Sequence, residues 1–139
     1  MNLENIKITP LSRIPTVGGD VLHGLKNTDT GFTKFGEAYF SWVSEGAVKA
    51  WKRHKKMTMN IVVPVGMARF VFFSEDENKF RVEEIGVDRY SRLTIPANIW
   101  FGFMGVSPKQ SLVLNIADIL HDPQEVERLD QGKIYYDWV

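Results

Sequence analysis

A chain of 139 residues, 44% of them hydrophobic and 12% aromatic, carries enough apolar material to offset the entropy lost on folding, which excludes wholesale disorder and predicts one domain over residues 1–139. Its 17 Lys and Arg are balanced by 17 Asp and Glu, so no global field draws it to a polyanion, and with no cysteine it has neither a disulfide framework nor a thiolate; His, Asp, Glu and Lys are left for chemistry. No stretch approaches the roughly 20 apolar residues of a membrane span, and the opening MNLENIKITP lacks a basic region followed by an apolar one, so no membrane partner and a cytoplasmic location are expected.

In chain order, short apolar runs alternate with turn residues. IKITPL (6–11) reads as a first strand. The segment TVGGDVLHGLKNTDTGF (16–32) is rich in glycine and has no clear period, so it reads as a loop-rich arm leading to FGEAYFSWV (35–43), the first long strand. MNIVVPV, ARFVFF, KFRVEEIGV, SRLTIPANIWFGF and SLVLNIADIL follow as further strands, and SEDEN (74–78) is a polar hairpin tip. This spacing predicts an all-β sandwich or barrel with antiparallel pairing. One short helix is expected in HDPQEVERLD (121–130), where Asp122 is a cap and Pro123 fits the first helical position. The aromatic tail KIYYDWV is expected to pack on the core or on a partner chain.

The chemistry concentrates in residues 49–56, which hold Lys49, Lys52, Arg53, His54, Lys55 and Lys56. Strict alternation along a strand puts Lys52, His54 and Lys56 on one face and Arg53 and Lys55 on the other. A positively lined pocket suits an anionic small molecule, because ammonium and guanidinium groups neutralise a diphosphate. The plainer reading is a solvated edge strand whose lysines discourage edge-to-edge pairing. A nucleic-acid surface is not expected, since aromatic RNA-binding boxes are absent and the net charge is zero. Trp42, Trp51, Trp100 and Phe101 either stack on a base or sugar ring or fill the core.

The stretch Gly46 to Gly66 keeps the glycine frame of the first cupin motif without its ligands: Lys52 and His54 occupy the His-x-His positions and Met59 that of the Glu. In the second motif, Pro96-Ala97-Asn98 stands for the Pro-x-Gly turn and Phe101 for the ligating His. A lone His54 among cations repels a divalent ion, so neither a metal nor another cofactor is expected.

GEAYFSWVSEGAVKAWKRHKKMTMNIVVPVG, YSRLTIPANIWFGFMG and SLVLNIADILHDPQE with the closing YDW resemble the dTDP-4-dehydrorhamnose 3,5-epimerases and the related sugar-nucleotide 3,4-ketoisomerases over roughly residues 6–138. That resemblance implies a metal-free cupin barrel, a double-stranded β-helix. It also implies a homodimer acting on a nucleoside-diphosphate 4-keto-6-deoxy sugar in the making of lipopolysaccharide, capsule or other surface glycans. The reaction it implies is proton abstraction beside a ketone, followed by reprotonation. Its site residues map unevenly. The family's Asp falls on Asp118, its Arg on Lys49, its base His on Lys52 and its acid Tyr near Leu114, while the ketoisomerases' second His falls on His54 and their tyrosine on Tyr39.

The catalytic candidates are therefore His54, Asp118, Lys52 and Tyr39, and the candidate substrate contacts are Lys49, Arg53, Trp51, Trp100 and Phe101. Asp118 either orients His54 or Lys52 or caps the turn before Asp122. His23 and His121 are expected to lie outside the chemistry. The competing reading is a binding protein that keeps the nucleotide-sugar pocket and has lost the base and acid.

Overall fold

The computed structural model describes residues 2–139. Its strands are β1 (Lys7–Pro10), β2 (Arg13–Ile14), β3 (Val21–Leu22), β4 (Glu37–Val43), β5 (Val48–His54), β6 (Met59–Val65), β7 (Met67–Ser74), β8 (Lys79–Gly86), β9 (Ser91–Ile95), β10 (Trp100–Gly105), β11 (Ser111–Ala117) and β12 (Val126–Arg128). They form two five-stranded sheets, in the orders β1-β9-β6-β11-β4 and β12-β5-β10-β7-β8, with β2 and β3 as a separate small hairpin. Every strand pairing is antiparallel.

The period-2 signal of the sequence is visible in burial. Along β11, Ser111, Val113, Asn115 and Ala117 are buried and the residues between them are half-buried. The inner faces of the two sheets meet in a core that includes Ile61, Val63, Phe70, Phe72, Ile85, Leu93, Phe101 and Val113. A second cluster, built on Trp51, Val71, Trp100 and Trp138 with Ile134 and Tyr136, covers the outer face of the β5-β10-β7-β8 region. The aromatic tail therefore packs on its own chain.

β9 is buried at every position because its outer face is covered too. The arm of residues 24–31 lies across it, held by Arg92, which is fully buried. Its guanidinium donates to Asn60 Oδ1, the Gly24 and Thr30 carbonyls and Asp29 Oδ2. A buried guanidinium is tolerable only with its donors occupied, and here four acceptors meet it.

Gly66 and Asn98 are among the turn positions that need backbone most residues avoid. Gly66, with φ +80°, links β6 to β7 where a Cβ would collide with Ser111. Asn98, with φ +70°, takes the place of the glycine in a Pro-x-Gly turn, a position asparagine tolerates, and its N–H donates to the His54 carbonyl at 2.7 Å.

The short C-terminal helix expected over residues 121–130 does not form. Asp122 does close a turn, accepting from the Gln124 N–H through Oδ1 and from the Glu125 N–H through its carbonyl. The chain then leaves the helical path because Val126–Arg128 pair with β5 as β12. Pairing with β5 gives partners to the backbone groups on that edge of the segment, whereas a single helical turn leaves most of its own unpaired. The only regular helix near this end is the 3-10 turn Gln131–Lys133. Among the described residues no helix is long and apolar enough to cross a membrane.

Candidate active site

β5 lies between β12 and β10, so it is not an exposed edge and its basic residues do not serve to guard one. Strict alternation also fails along it. Phe101 pairs with Lys52, Gly102 with Ala50 and Phe103 with Lys49, which leaves Trp51 as the extra residue of a bulge. Lys49 and Lys52, three residues apart, consequently share the inner face with His54, while Trp51 and Arg53 face outward. Lys56 lies beyond the strand in the following turn and is exposed.

The inner face opens onto a cavity of about 550 Å³ lined by Tyr39, Ser41, Lys49, Lys52, Ile61, Phe101, Phe103, Val113, Asn115 and Arg128, among others. It adjoins a smaller space bordered by Tyr39, Lys52, His54, Met57, His121 and Arg128. Lys52 Nζ lies 5.7 Å from the Phe101 ring centre and Lys49 Nζ 6.0 Å from that of Phe103, so both ammonium groups rest on aromatic faces. Among the described residues neither Lys52 nor Arg128 has an ion-pair partner. Burial lowers the Lys52 ammonium from its ordinary pKa of 10.5, and Arg128 lowers it further.

His54 is 5% exposed, and its Nδ1 lies 2.7 Å from Glu125 Oε1. Glu125 Oε2 accepts from the backbone N–H groups of Lys56 and Met57, each at 2.9 Å. Burial alone would raise the Glu125 carboxyl, but the hydrogen bonds from His54, Lys56 and Met57 outweigh it and hold the group below its ordinary 4.5. His54 is lowered from 6.5 chiefly by burial, against the opposing pull of Glu125. An anionic carboxylate against a neutral imidazole fixes the tautomer: Nδ1 carries the proton and donates it to Glu125. Nε2 is then a bare lone pair, and it is buried with no hydrogen-bond partner. A carboxylate-oriented imidazole with a free Nε2 can serve as a general base.

No family model matches the chain. It is similar to a dTDP sugar isomerase from Desulfovibrio desulfuricans G20, with 38% identity, coverage of 97% of this chain and 91% of that one, and a TM-score of 0.91. The chain belongs to the dTDP-sugar epimerase and isomerase family. A second relative of this family member is a probable low-salt glycan biosynthesis epimerase of Haloferax volcanii, 30% identical over 106 residues; the match takes in 72% of this chain and spans 66% of that relative's length. The fold is shared with QdtA, a 3,4-ketoisomerase from Thermoanaerobacterium thermosaccharolyticum solved with TDP-4-keto-6-deoxyglucose, at 16% identity, a TM-score of 0.78 and coverage of 92% of this chain and 90% of that one.

Of the residues singled out in the sequence, this epimerase-family barrel brings His54, Lys52, Tyr39, Lys49 and Phe101 to one connected space. It takes others elsewhere. Arg53 pairs outside the barrel with Glu75 and Glu127 and stacks on Trp100 at 4.6 Å. Trp100 Nε1 donates to Glu75 Oε1, away from the cavity. Trp51 borders the cavity, but its indole is committed to the outer cluster and donates to the Gln131 and Ile134 carbonyls.

Asp118 does not reach His54. It accepts from the Thr58 N–H and from the Thr33 hydroxyl, stapling the start of β6 to the end of β11. Leu114, where the family's acid Tyr falls, alternates with the inward Val113 and Asn115 and so points away from the cavity. His121 is exposed at the rim of the smaller space.

Sequence reading missed Glu125, Arg128 and Asn115. Glu125 lies 71 residues from His54 along the chain and meets it only because β12 pairs with β5. No local signal marks it, since Gln124 follows the same Asp122-Pro123 turn and is exposed.

Proposed function

We propose that this protein is an isomerase that moves a proton on a nucleoside-diphosphate 4-keto-6-deoxy sugar, within the biosynthesis of a surface glycan. The observation that carries this reading is the buried His54–Glu125 pair with Nε2 unpartnered beside a cavity lined by cations. Lys49, Lys52 and Arg128 hold the diphosphate, and the apolar wall of Ile61, Phe101, Phe103 and Val113 receives the uncharged part of the ligand. The TDP and TDP-sugar bound by structural neighbours support a thymidine nucleotide.

In the reaction, Nε2 of neutral His54 removes the proton from the carbon beside the ketone. The C–H electron pair becomes the enolate double bond, and the charge moves to the oxygen. The Tyr39 hydroxyl faces that charge and stabilises it as a hydrogen-bond donor. The imidazolium formed is balanced by the Glu125 carboxylate. Return of a proton to the same carbon from the other face gives an epimer. A ketoisomer forms when the proton returns to the former carbonyl carbon while the hydroxyl on the first carbon passes its proton to the enolate oxygen and becomes the new ketone.

Incubation with nucleoside-diphosphate 4-keto-6-deoxy sugars in heavy water, followed by proton NMR, is expected to show deuterium entering the sugar ring. A tight nucleotide-sugar complex that exchanges no ring proton would overturn the isomerase in favour of a binding protein, which the Lys at the family's base position otherwise supports.

We propose a homodimer as the working unit. The β2–β3 hairpin projects with Ile14, Val17, Val21 and Leu22 exposed, and edge strand β4 exposes Phe40 and Trp42 on its outer face. Aromatic and aliphatic side chains on a free edge are what a second copy would cover. Sedimentation should give twice the chain mass for the wild type and a shift toward monomer in a Val17→Asp, Trp42→Glu variant; a wild-type monomer would refute the assembly.

A further inference from the structure

The cavity holds a buried polar side chain that the proton transfer described above does not use. Asn115 on β11 is 6% exposed and lines the cavity among Ile61, Phe101, Phe103 and Val113. Its Nδ2 donates to Tyr39 Oη at 2.9 Å and lies 3.4 Å from Met59 Sδ. A thioether sulfur has no proton to give, so the amide nitrogen and not the oxygen belongs on that side. This orientation leaves Asn115 Oδ1 buried with no partner. Buried side-chain acceptors are nearly always satisfied, so an unpartnered one on a residue in the wall of a cavity stands out.

We infer that Asn115 reads a hydroxyl of the sugar through Oδ1 while its Nδ2 holds Tyr39 with the phenolic proton turned toward the same ligand. The inference rests on the sugar-nucleotide reading of the cavity and adds a specificity rule to it. Oδ1 accepts only, so the substrate must present a donor there, a hydroxyl and not a second carbonyl. The bond to Tyr39 sets a polarity as well. Because Tyr39 Oη accepts from Asn115, its single O–H is not spent inside the protein and remains for the enolate oxygen. Asn115 is thus a positioning residue for Tyr39 and a selecting contact for the sugar.

The substitution Asn115→Asp keeps the shape and reverses that polarity, since a carboxylate takes the phenolic proton for itself. Asn115→Ala removes both bonds. Isothermal titration with a nucleoside diphosphate and with the corresponding nucleoside-diphosphate hexose, together with deuterium exchange, separates the roles.

Asn115→Ala is expected to bind the nucleoside diphosphate within about twofold of wild type and the hexose about tenfold more weakly, the size of one lost hydrogen bond. Asn115→Asp is expected to lose about a hundredfold in kcat for exchange, more than Asn115→Ala, an order that packing damage alone does not produce. Equal weakening toward both ligands, or Asn115→Asp exchanging as fast as Asn115→Ala, would overturn the inference and leave the isomerase standing. A wild type that binds neither ligand would overturn both. Should Asn115→Asp fail to fold, the two affinities of Asn115→Ala decide the matter.

Discussion

Replacing Glu125 with glutamine is expected to slow solvent-proton exchange into the sugar by a factor on the order of 10²–10⁴, with His54→Ala at least as slow, while nucleotide affinity stays near wild type. The amide has the same shape but lacks the charge that offsets an imidazolium. It also offers one carbonyl oxygen where the carboxylate uses two to accept from His54, Lys56 and Met57. Either the imidazole loses its orienting bond or a buried backbone N–H loses its acceptor. The second cost appears as stability, about 1–3 kcal/mol for a buried donor left unpaired, read as a lower denaturant midpoint. Full activity in Glu125→Gln would remove the dyad from the mechanism.

Lys52→Met is expected to weaken nucleotide binding by about ten- to a hundredfold, the range for a charge-assisted hydrogen bond. The same change should raise the melting temperature. Lys52 has a folded pKa below 10.5, so at neutral pH the fold carries the cost of holding its charge in a partly desolvated place, and methionine removes that cost. Lower affinity with higher stability marks a residue kept for its ligand. An unchanged affinity would detach Lys52 from the diphosphate.

The pH profile of the Lys52→Met variant follows from the same charges. The base must be neutral to accept a proton, and His54 sits below 6.5, so the acid limb of kcat/KM in the wild type lies below pH 6.5. The Lys52 charge is one of the causes that lower His54, after burial, so its removal moves that limb toward higher pH. For stability the sign is fixed as well. A His with a depressed folded pKa contributes fully above pH 6.5, and that contribution is lost as the pH falls from 6.5 toward the folded value, where the unfolded chain binds the proton first.

Much of the β architecture was written locally. Runs such as ARFVFF and SLVLNI carry their period and composition within a few residues, and SEDEN closes the β7–β8 hairpin it predicts, with Asn78 at φ +51°. The cationic strand around His54 and the glycine frame from Gly46 to Gly66 were equally local. The expected helix at 121–130 failed because its fate depended on β5, 71 or more residues earlier, which offered Val126–Arg128 a partner.

The sequence by itself determined the all-β class, the membership implied by its strand and glycine pattern, and the presence of a histidine among lysines in one short stretch. Tertiary structure alone decided which of those groups meet. The bulge at Trp51 turns Lys49 inward, where alternation would have sent it out with Arg53. Likewise, β12 carries Glu125 and Arg128 to His54 and Lys52, and β4 sets Tyr39 beside Asn115. A strand's period is a property of neighbouring residues, but register and sheet order are settled by the whole barrel closing on its core, and the orientation of the base is fixed only then.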